Sequence, residues 1–119
     1  MKAGRGSIVH LELHTGDCAE ARTFFADLLG WRGDDIVAAG QTYRALCVGD
    51  RIGGGIVDCG ATPAQWVPYV LIDRLDRVTE RAGRLGATVL LEPREGPAGW
   101  RSVINTPTSG TMALWQPKT

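Results

Sequence analysis

The strongest constraint on this chain is a repeated order of predicted elements. A strand is followed by a helix that ends at Leu29-Gly30, and a later strand is followed by a helix that ends at Leu85-Gly86. Further strands follow each helix. One such unit cannot cover its own sheet, but two units side by side can share one. The sequence therefore predicts an α+β fold in which two βαβββ units form a curved mixed sheet around a groove, with the helices outside.

The extent of each unit follows from this repeat. Unit one covers about residues 7–58 and unit two about residues 66–117, within a single domain over residues 1–119. A length of 119 residues suits one domain. Hydrophobic residues make up 44% of the chain, which is enough for a core.

The first predicted strand, over residues 8–14, alternates in character. From position 9 onward the odd-numbered residues are apolar, and the even-numbered ones are His10, Glu12 and His14. Because successive side chains on a strand point to opposite sides, these three share one face. That polar face either lies in solvent or lines a wet pocket. His14, near the strand end, is expected at the rim.

The first helix has recognisable ends. Asp17 can cap it, with Glu20 three residues on as in a capping box, and Gly30 suits the left-handed position past its end. Five apolar residues recur at helical spacing and are expected to pack on the apolar strand face: Ala21, Phe24, Phe25, Leu28 and Leu29.

A glycine run marks the later part of unit one. Two strands, over residues 42–48 and 51–57, are predicted to form a hairpin at Gly49-Asp50. The second contains Gly53-Gly54-Gly55, which in a strand indicates a bulge or a close approach to the backbone. The run lacks the spacing of a nucleotide-binding loop.

Unit two begins after a linker at residues 60–65. A strand over residues 67–72 is followed by a helix that Asp73 or Asp76 is expected to cap and that Gly86 ends. Strands over residues 88–91, 101–105 and 111–116 come next, separated by a Pro/Gly loop at residues 92–99 and a turn at residues 106–110.

Charge and composition exclude several classes of protein. The 13 basic residues balance 13 acidic ones, whereas nucleic-acid binders usually carry a basic excess. No apolar run approaches the roughly 20 residues of a membrane helix, and residues 1–7 lead into no signal-peptide stretch. A cytoplasmic protein with no nucleic-acid or membrane partner is expected. The three cysteines (Cys18, Cys47 and Cys59) form no C-x-x-C, so reduced thiols are expected.

Motifs along nearly the whole chain point to one family. Residues 8–31 combine a His-bearing strand, an Asp and a helix with an aromatic pair ending in L-G-W, and G-G-G-I follows at residues 53–56. The strand at residues 66–73, Gly99-Trp100 and T-P-T-S-G-T-M-A-L-W-Q-P at residues 106–117 complete the series. This series resembles the vicinal oxygen chelate superfamily of glyoxalase, bleomycin resistance and extradiol dioxygenase proteins. Thr106 and Ser109 depart from the Asp and Gly usual in its closing motif.

The resemblance implies a groove that usually holds one divalent metal, with ligands from the first and last strands of each unit. His10 matches the first ligand position. The second-unit position falls on Pro68, the last-strand position on Ala113, and Asp58 is the nearest ligand type on the glycine-rich strand. Since transition-metal sites use at least three protein ligands, we predict no metal cofactor. A divalent metal held by His10, Glu12 and one further carboxylate is the alternative.

Three residues are predicted to be catalytic: His10, Glu12 and Arg101. A carboxylate that orients an imidazole is the arrangement general acid–base catalysis needs. Arg101 begins a strand that should border the groove and could hold an anionic or carbonyl oxygen bidentately. The alternative is a surface arginine paired with Glu95 or an aspartate.

Four aromatic residues are predicted to bind ligand: Tyr43, Trp66, Trp100 and Trp115. They lie on predicted strands or at strand starts, and planar ligands are often held by such side chains. Packing in the core is the alternative for each. Trp31 is expected in the core or at a dimer contact.

These features predict a metal-independent protein that binds, sequesters or tailors a planar or aromatic natural product in antibiotic resistance or biosynthesis. A related version of this hypothesis adds acid–base catalysis by His10 and Glu12. If it is an enzyme, the resemblance implies the lyase or isomerase type. A metal-dependent lyase, epimerase or dioxygenase is the first alternative, and a non-enzymatic partner or regulatory subunit the second. By resemblance, the protein is also expected to form a symmetric homodimer.

Overall fold

The computed structural model describes residues 4–38, 40–50, 52–58 and 63–118, so Cys59 and residues 60–62 of the predicted linker lie outside the described residues. The chain forms two compact units, one spanning His10–Val67 and the other joining the residues up to Val9 to Pro68 and beyond. In chain order the elements are β1 (Ile8–Thr15), α1 (Cys18–Leu29), β2 (Gly33–Ala38), β3 (Gln41–Leu46), β4 (Gly53–Asp58), β5 (Gln65–Leu71), α2 (Leu75–Arg84), β6 (Thr88–Glu95), β7 (Gly99–Thr106) and β8 (Gly110–Pro117).

Both units have mixed sheets of the same kind. In the first, the strand order is β2-β3-β4-β1, with β1 and β4 parallel and the other pairs antiparallel. In the second, the order is β5-β8-β7-β6, with β5 and β8 parallel and the other pairs antiparallel. The predicted α+β class, with two βαβββ repeats and mixed strand pairing, is confirmed.

The first unit packs α1 on one face of its sheet. Leu13, Leu46 and Ile56 form a buried cluster with Cys18 of the helix. Ala21 and Phe25 pack against that cluster, whereas three other helix residues are more than half exposed: Phe24, Leu28 and Leu29. The expectation that all five apolar residues cover the sheet was wrong, because the helix presents only the narrow stripe through positions 18, 21 and 25.

The second unit repeats this layering with α2. Leu75 from the helix is buried with Ile104 and Leu114 from the sheet. The buried hydroxyls of Thr79 and Ser102 lie 2.8 Å apart, and the Thr79 hydroxyl also donates to the Leu75 carbonyl. These polar groups are therefore satisfied inside the core, as buried hydroxyls require.

The first helix begins and ends much as predicted. The Asp17 carboxylate accepts a hydrogen bond from the Glu20 amide at 2.9 Å, and Gly30 adopts the left-handed conformation with φ 73°. The capping box is only half formed, because the Asp17 amide donates to the Thr15 hydroxyl rather than to Glu20.

The second helix begins differently from the prediction. Its N-cap residue is Arg74, which makes no side-chain capping bond. The Leu75 amide instead donates to the side-chain oxygen of Gln116 at 2.9 Å, and Asp73 pairs with Arg5. The expectation of an Asp73 or Asp76 cap was wrong, because a residue far along the chain supplies the acceptor.

Two outer strands were missed or shortened in the sequence analysis. β2 carries the sequence G-D-D-I-V-A, whose adjacent acids hide the strand pattern. β6 continues to Glu95 through Pro93, where a loop was expected. Both strands lie at the end of their unit's strand order, and proline is tolerated in strands with one unpaired edge.

Among the residues described, no helix is long and apolar enough to cross a membrane.

Two cysteines of the described residues, Cys18 and Cys47, are free thiols. Burial, followed by the nearby Asp58 carboxylate, raises the pKa of Cys18, so less of this thiol is in the nucleophilic thiolate form.

Candidate functional site

A polar cluster occupies the face of the first unit's sheet that is turned away from α1. At its centre Glu12 is only 3% exposed. Its Oε1 atom lies 2.9 Å from His14 Nε2, and its Oε2 atom lies 3.2 Å from the Tyr43 hydroxyl and 3.6 Å from His10 Nε2. A buried carboxylate needs such donors, since a buried charge without partners is costly.

Tyr43 joins the two predicted acid–base residues. Its hydroxyl is 2.7 Å from His10 Nε2 as well as within reach of Glu12. A phenol has one proton to donate. If Tyr43 donates to Glu12, His10 must donate to the Tyr43 oxygen; if Tyr43 donates to His10, the His10 nitrogen must be the acceptor. The geometry supports both proton arrangements.

The glycine run leaves the room that this cluster needs. In the parallel pairing of β1 and β4, His10 lies opposite Gly53 and Glu12 opposite Gly55. A Cβ on Gly53 would come within 2.6 Å of His10 Nδ1, and a Cβ on Gly55 would overlap the Tyr43 hydroxyl. The predicted close approach to the backbone is therefore made by the chain's own site residues.

A second cluster lies in the other unit, on the sheet face turned away from α2. Arg101 Nη1 donates to the hydroxyl of the buried Tyr69 at 3.0 Å, and Trp115 lies directly opposite Arg101 in the β7–β8 register. The Tyr69 and Trp115 rings are 6.4 Å apart. The alternative, a surface Arg101 paired with Glu95, is not formed, because Glu95 binds Lys118 at 2.7 Å.

Two of the predicted ligand-binding residues are packed against the cores. Trp66 contacts Phe25 and Trp31, with ring centroids 5.5 and 6.0 Å away. Trp100 packs against the core beneath α2, and Lys118 lies over its ring. Core packing, the alternative reading, describes the position of both tryptophans and of Trp31. A part for Trp66 or Trp100 in ligand binding stays a prediction.

The structure brings together residues that the sequence analysis treated separately. Tyr43 was predicted as a ligand-binding residue, but it bridges His10 and Glu12. His14 was expected at the rim, yet its ring bonds the central carboxylate. The alternation of β1 already placed His14 on this face, but the β3–β4 register that delivers Tyr43 leaves no local signal.

Solved structures of other proteins share this fold. Methylmalonyl-CoA epimerase from Mycobacterium tuberculosis matches with a TM-score of 0.63 over 100% of this chain and 94% of its own, at 17% identity. The hypothetical protein BH1468 from Bacillus halodurans matches with a TM-score of 0.68 over 96% of both chains, at 8% identity. At such identities these likenesses concern the fold alone.

Two sequence relatives match most of this chain. CFP32 of Mycobacterium tuberculosis, named as a glyoxylase, is 28% identical over 116 residues, which are 94% of this chain and 44% of CFP32. The anthracycline biosynthesis protein DnrV of Streptomyces peucetius is 30% identical over 105 residues, which are 86% of this chain and 38% of DnrV. This chain belongs to the vicinal oxygen chelate superfamily. It spans less than half the length of these two relatives, and no family model matches it.

Two of the positions that supply metal ligands in the superfamily carry residues without a metal-binding side chain in this chain, namely Pro68 and Ala113. Ala113 lies opposite Tyr69 in the β5–β8 register. Pro68 therefore points to the other side of β5, because neighbouring residues of a strand alternate. The sequence assignment of Pro68 to the ligand face was wrong by one residue, and the residue on that face, Tyr69, offers a phenol bonded to Arg101.

Asp58 does not complete a metal site with His10 either. It lies opposite Thr15, on the α1 side of the sheet, where its charge acts on Cys18. Within the described ranges, no three His, Cys, Asp or Glu side chains are grouped as a metal site would require. The third group beside Glu12 is His14, where the alternative metal site had a further carboxylate. The described residues therefore do not form the three-ligand group that a divalent metal would need.

Proposed function

We propose that this protein is a metal-independent member of the glyoxalase and bleomycin resistance type that binds or tailors a planar aromatic natural product, with His10 and Glu12 in acid–base roles. The observation that carries the proposal is the position of the Tyr43 hydroxyl between the buried Glu12 carboxylate and His10, 3.2 Å from Glu12 Oε2 and 2.7 Å from His10 Nε2. A relay of this kind can move a proton without a Lewis acid.

The relay works from the arrangement in which Tyr43 donates to His10. A ligand C–H next to the Tyr43 oxygen gives its proton to that oxygen as the tyrosine's own proton passes to His10 Nε2. The resulting imidazolium lies 3.6 Å from Glu12 Oε2, so the carboxylate stabilises it. Return of the proton to another ligand atom completes an isomerisation, and return to the same atom gives exchange with solvent.

The ligand class rests on the sequence relatives and on the aromatic side chains. DnrV is named for anthracycline biosynthesis, which concerns planar polycyclic compounds. In this chain the aromatic Tyr43 is part of the relay, and Trp115 lies opposite Arg101 in the second unit. These features support a role in antibiotic biosynthesis or resistance, with a small aromatic molecule as the partner.

Metal content and ligand binding test the proposal together. In protein purified without chelators, we expect elemental analysis to find far less than one metal ion per chain. We also expect an anthracyclinone to raise the melting temperature, because a ligand at about 100 times its Kd stabilises the native state by about 2.7 kcal/mol. The matched control is an aliphatic cyclic ketone of similar polarity, which should give no shift.

Stoichiometric zinc, nickel, manganese or iron would contradict the metal-independent mechanism. An equal melting temperature with and without the anthracyclinone would contradict the aromatic ligand class and favour a non-enzymatic partner.

We also propose that the protein is a cytoplasmic homodimer, as expected from the sequence and its resemblance. Light scattering at micromolar concentration should give twice the 12.8 kDa chain mass. A monomer mass would refute the dimer and leave the acid–base proposal untouched, since each contact of the relay lies within one unit of one chain.

A further inference from the structure

Two arginines face each other across neighbouring strands of the second unit. Arg94 of β6 lies directly opposite Arg101 of β7, and both side chains are exposed. Directly opposite residues of an antiparallel pair project from the same face with Cβ atoms about 4.5–5.5 Å apart, and like charges there are destabilising. The pair concentrates positive charge on the sheet face turned away from α2.

Among the described residues, no carboxylate forms an ion pair with either arginine of this pair. Glu95 instead binds Lys118 at 2.7 Å. The pair therefore keeps a charge that an anion from outside could neutralise.

One of the two guanidinium groups is oriented in advance. Arg101 Nη1 is held at 3.0 Å by the hydroxyl of Tyr69, a residue only 6% exposed. This bond uses one of five N–H donors, which leaves a planar edge suited to bidentate contact with an oxyanion. Trp115, directly opposite Arg101 on the other side, offers a partly buried aromatic surface next to that edge.

We propose that Arg94 and Arg101 form a binding site for the oxyanion of a planar aromatic ligand, a carboxylate or an ionised phenol, whose ring contacts Trp115. The aromatic character of the ligand is taken from the proposed function, on which this inference rests. The new element is that the ligand carries a negative charge. An oxyanion bound between the two guanidinium groups would relieve their repulsion, and the row of Arg94, Arg101 and Trp115 across three strands matches a flat molecule with an acidic group at one end.

Calorimetric titration with 2-naphthoate and with its neutral analogue 2-naphthamide tests the site on the intact protein. We expect 2-naphthoate to bind at least about tenfold more tightly, since hydrogen bonds to charged groups are the stronger ones. Arg101→Gln and Arg94→Gln should each weaken 2-naphthoate binding by about 10- to 100-fold and leave 2-naphthamide unchanged. Arg101→Lys should be intermediate, because an ammonium keeps the charge but not the planar fork.

The control variant is Arg84→Gln, which removes an exposed arginine of α2 that is paired with Glu80 and should leave both affinities as they are. Folding is checked by melting temperature: Arg94→Gln should melt no lower than the unmodified protein, since it removes a like-charge contact. Equal affinity of the unmodified protein for both probes would overturn the site, as would unchanged 2-naphthoate binding in both glutamine variants.

Failure of this site is distinguishable from failure of the proposed function. If the arginine variants bind 2-naphthoate normally while the anthracyclinone still raises the melting temperature, the anion site is wrong and the aromatic ligand class stands. If 2-naphthoate binding depends on both arginines but no anthracyclinone stabilises the protein, the anion site stands and the ligand class needs revision.

Discussion

Glu12→Gln is expected to lower the rate of solvent deuterium incorporation into an enolisable aromatic ketone by at least about 100-fold, the lower end of what general acid–base catalysis contributes. The substitution keeps the size of the side chain but removes the negative charge 3.6 Å from His10 Nε2. The imidazolium that forms when the relay accepts a proton then loses its counter-charge, and the proton transfer becomes unfavourable.

The same substitution also disturbs the hydrogen bonds of the cluster. Both oxygens of the buried Glu12 carboxylate lie within hydrogen-bond distance of a partner, one at His14 and one at Tyr43, whereas a glutamine has one acceptor oxygen and an amide that only donates. The partner that faces the amide must accept a hydrogen bond or remain unpaired, and an unpaired buried polar group costs about 1–3 kcal/mol. We therefore expect a lower melting temperature together with the loss of exchange.

Two comparison variants separate chemistry from stability. Tyr43→Phe removes the bridging hydroxyl while keeping the charge of Glu12, and should lower the exchange rate with a smaller loss of stability. Glu20→Gln neutralises an exposed glutamate of α1 and should change neither quantity. Deuterium incorporation is followed by nuclear magnetic resonance of the ketone at saturating concentration. If Glu12→Gln exchanges deuterium as fast as the unmodified protein, Glu12 has no acid–base role.

The alternation of β1 allowed three of the four residues of this cluster to be predicted. Periodicity of two places His10, Glu12 and His14 on one face without any knowledge of tertiary structure, and the glycine run was correctly read as a close approach to the backbone. The identity of the side chain that approaches the glycines, Tyr43, could not be predicted. It reaches the cluster through the β3–β4 pairing, in which Ala45 lies opposite Gly55. Strand register depends on contacts distant in sequence.

The pairing of Arg94 with Arg101 also depends on strand register and could not be predicted from the sequence. Arg101 was singled out from the motif beside Trp100, but Arg94 was placed in a loop. β6 pairs with β7 through register shifts between Val89 and Leu91 and between Leu91 and Arg94, and such irregularities are invisible to a period-of-two pattern. The α2 cap failed for a related reason, since its acceptor Gln116 comes from the last strand.

Gly54→Ala and Gly55→Ala, two adjacent and chemically identical substitutions, are expected to fail in different ways. A Cβ on Gly54 would overlap the Leu46 carbonyl oxygen and approach Val48 Cγ1 at 2.8 Å. The carbonyl belongs to the backbone of the neighbouring strand and cannot swing aside. We expect a loss of about 1–3 kcal/mol in the free energy of unfolding, typical of overpacked cores, measured by urea denaturation.

At Gly55 the obstructed atom is instead the hydroxyl of Tyr43, the far end of a side chain that can rotate. Gly55→Ala should therefore fold with a smaller loss of stability than Gly54→Ala, while the Tyr43 hydroxyl leaves both His10 and Glu12. Its deuterium exchange rate should fall to that of Tyr43→Phe.

Combining Gly55→Ala with Tyr43→Phe provides the decisive comparison. If both act by taking the hydroxyl out of the relay, the double variant exchanges no more slowly than either single variant, because residues that act as one unit are not additive. Multiplicative rate losses in the double variant, or full exchange activity in Gly55→Ala, would show that the glycine run leaves room for something other than the Tyr43 relay.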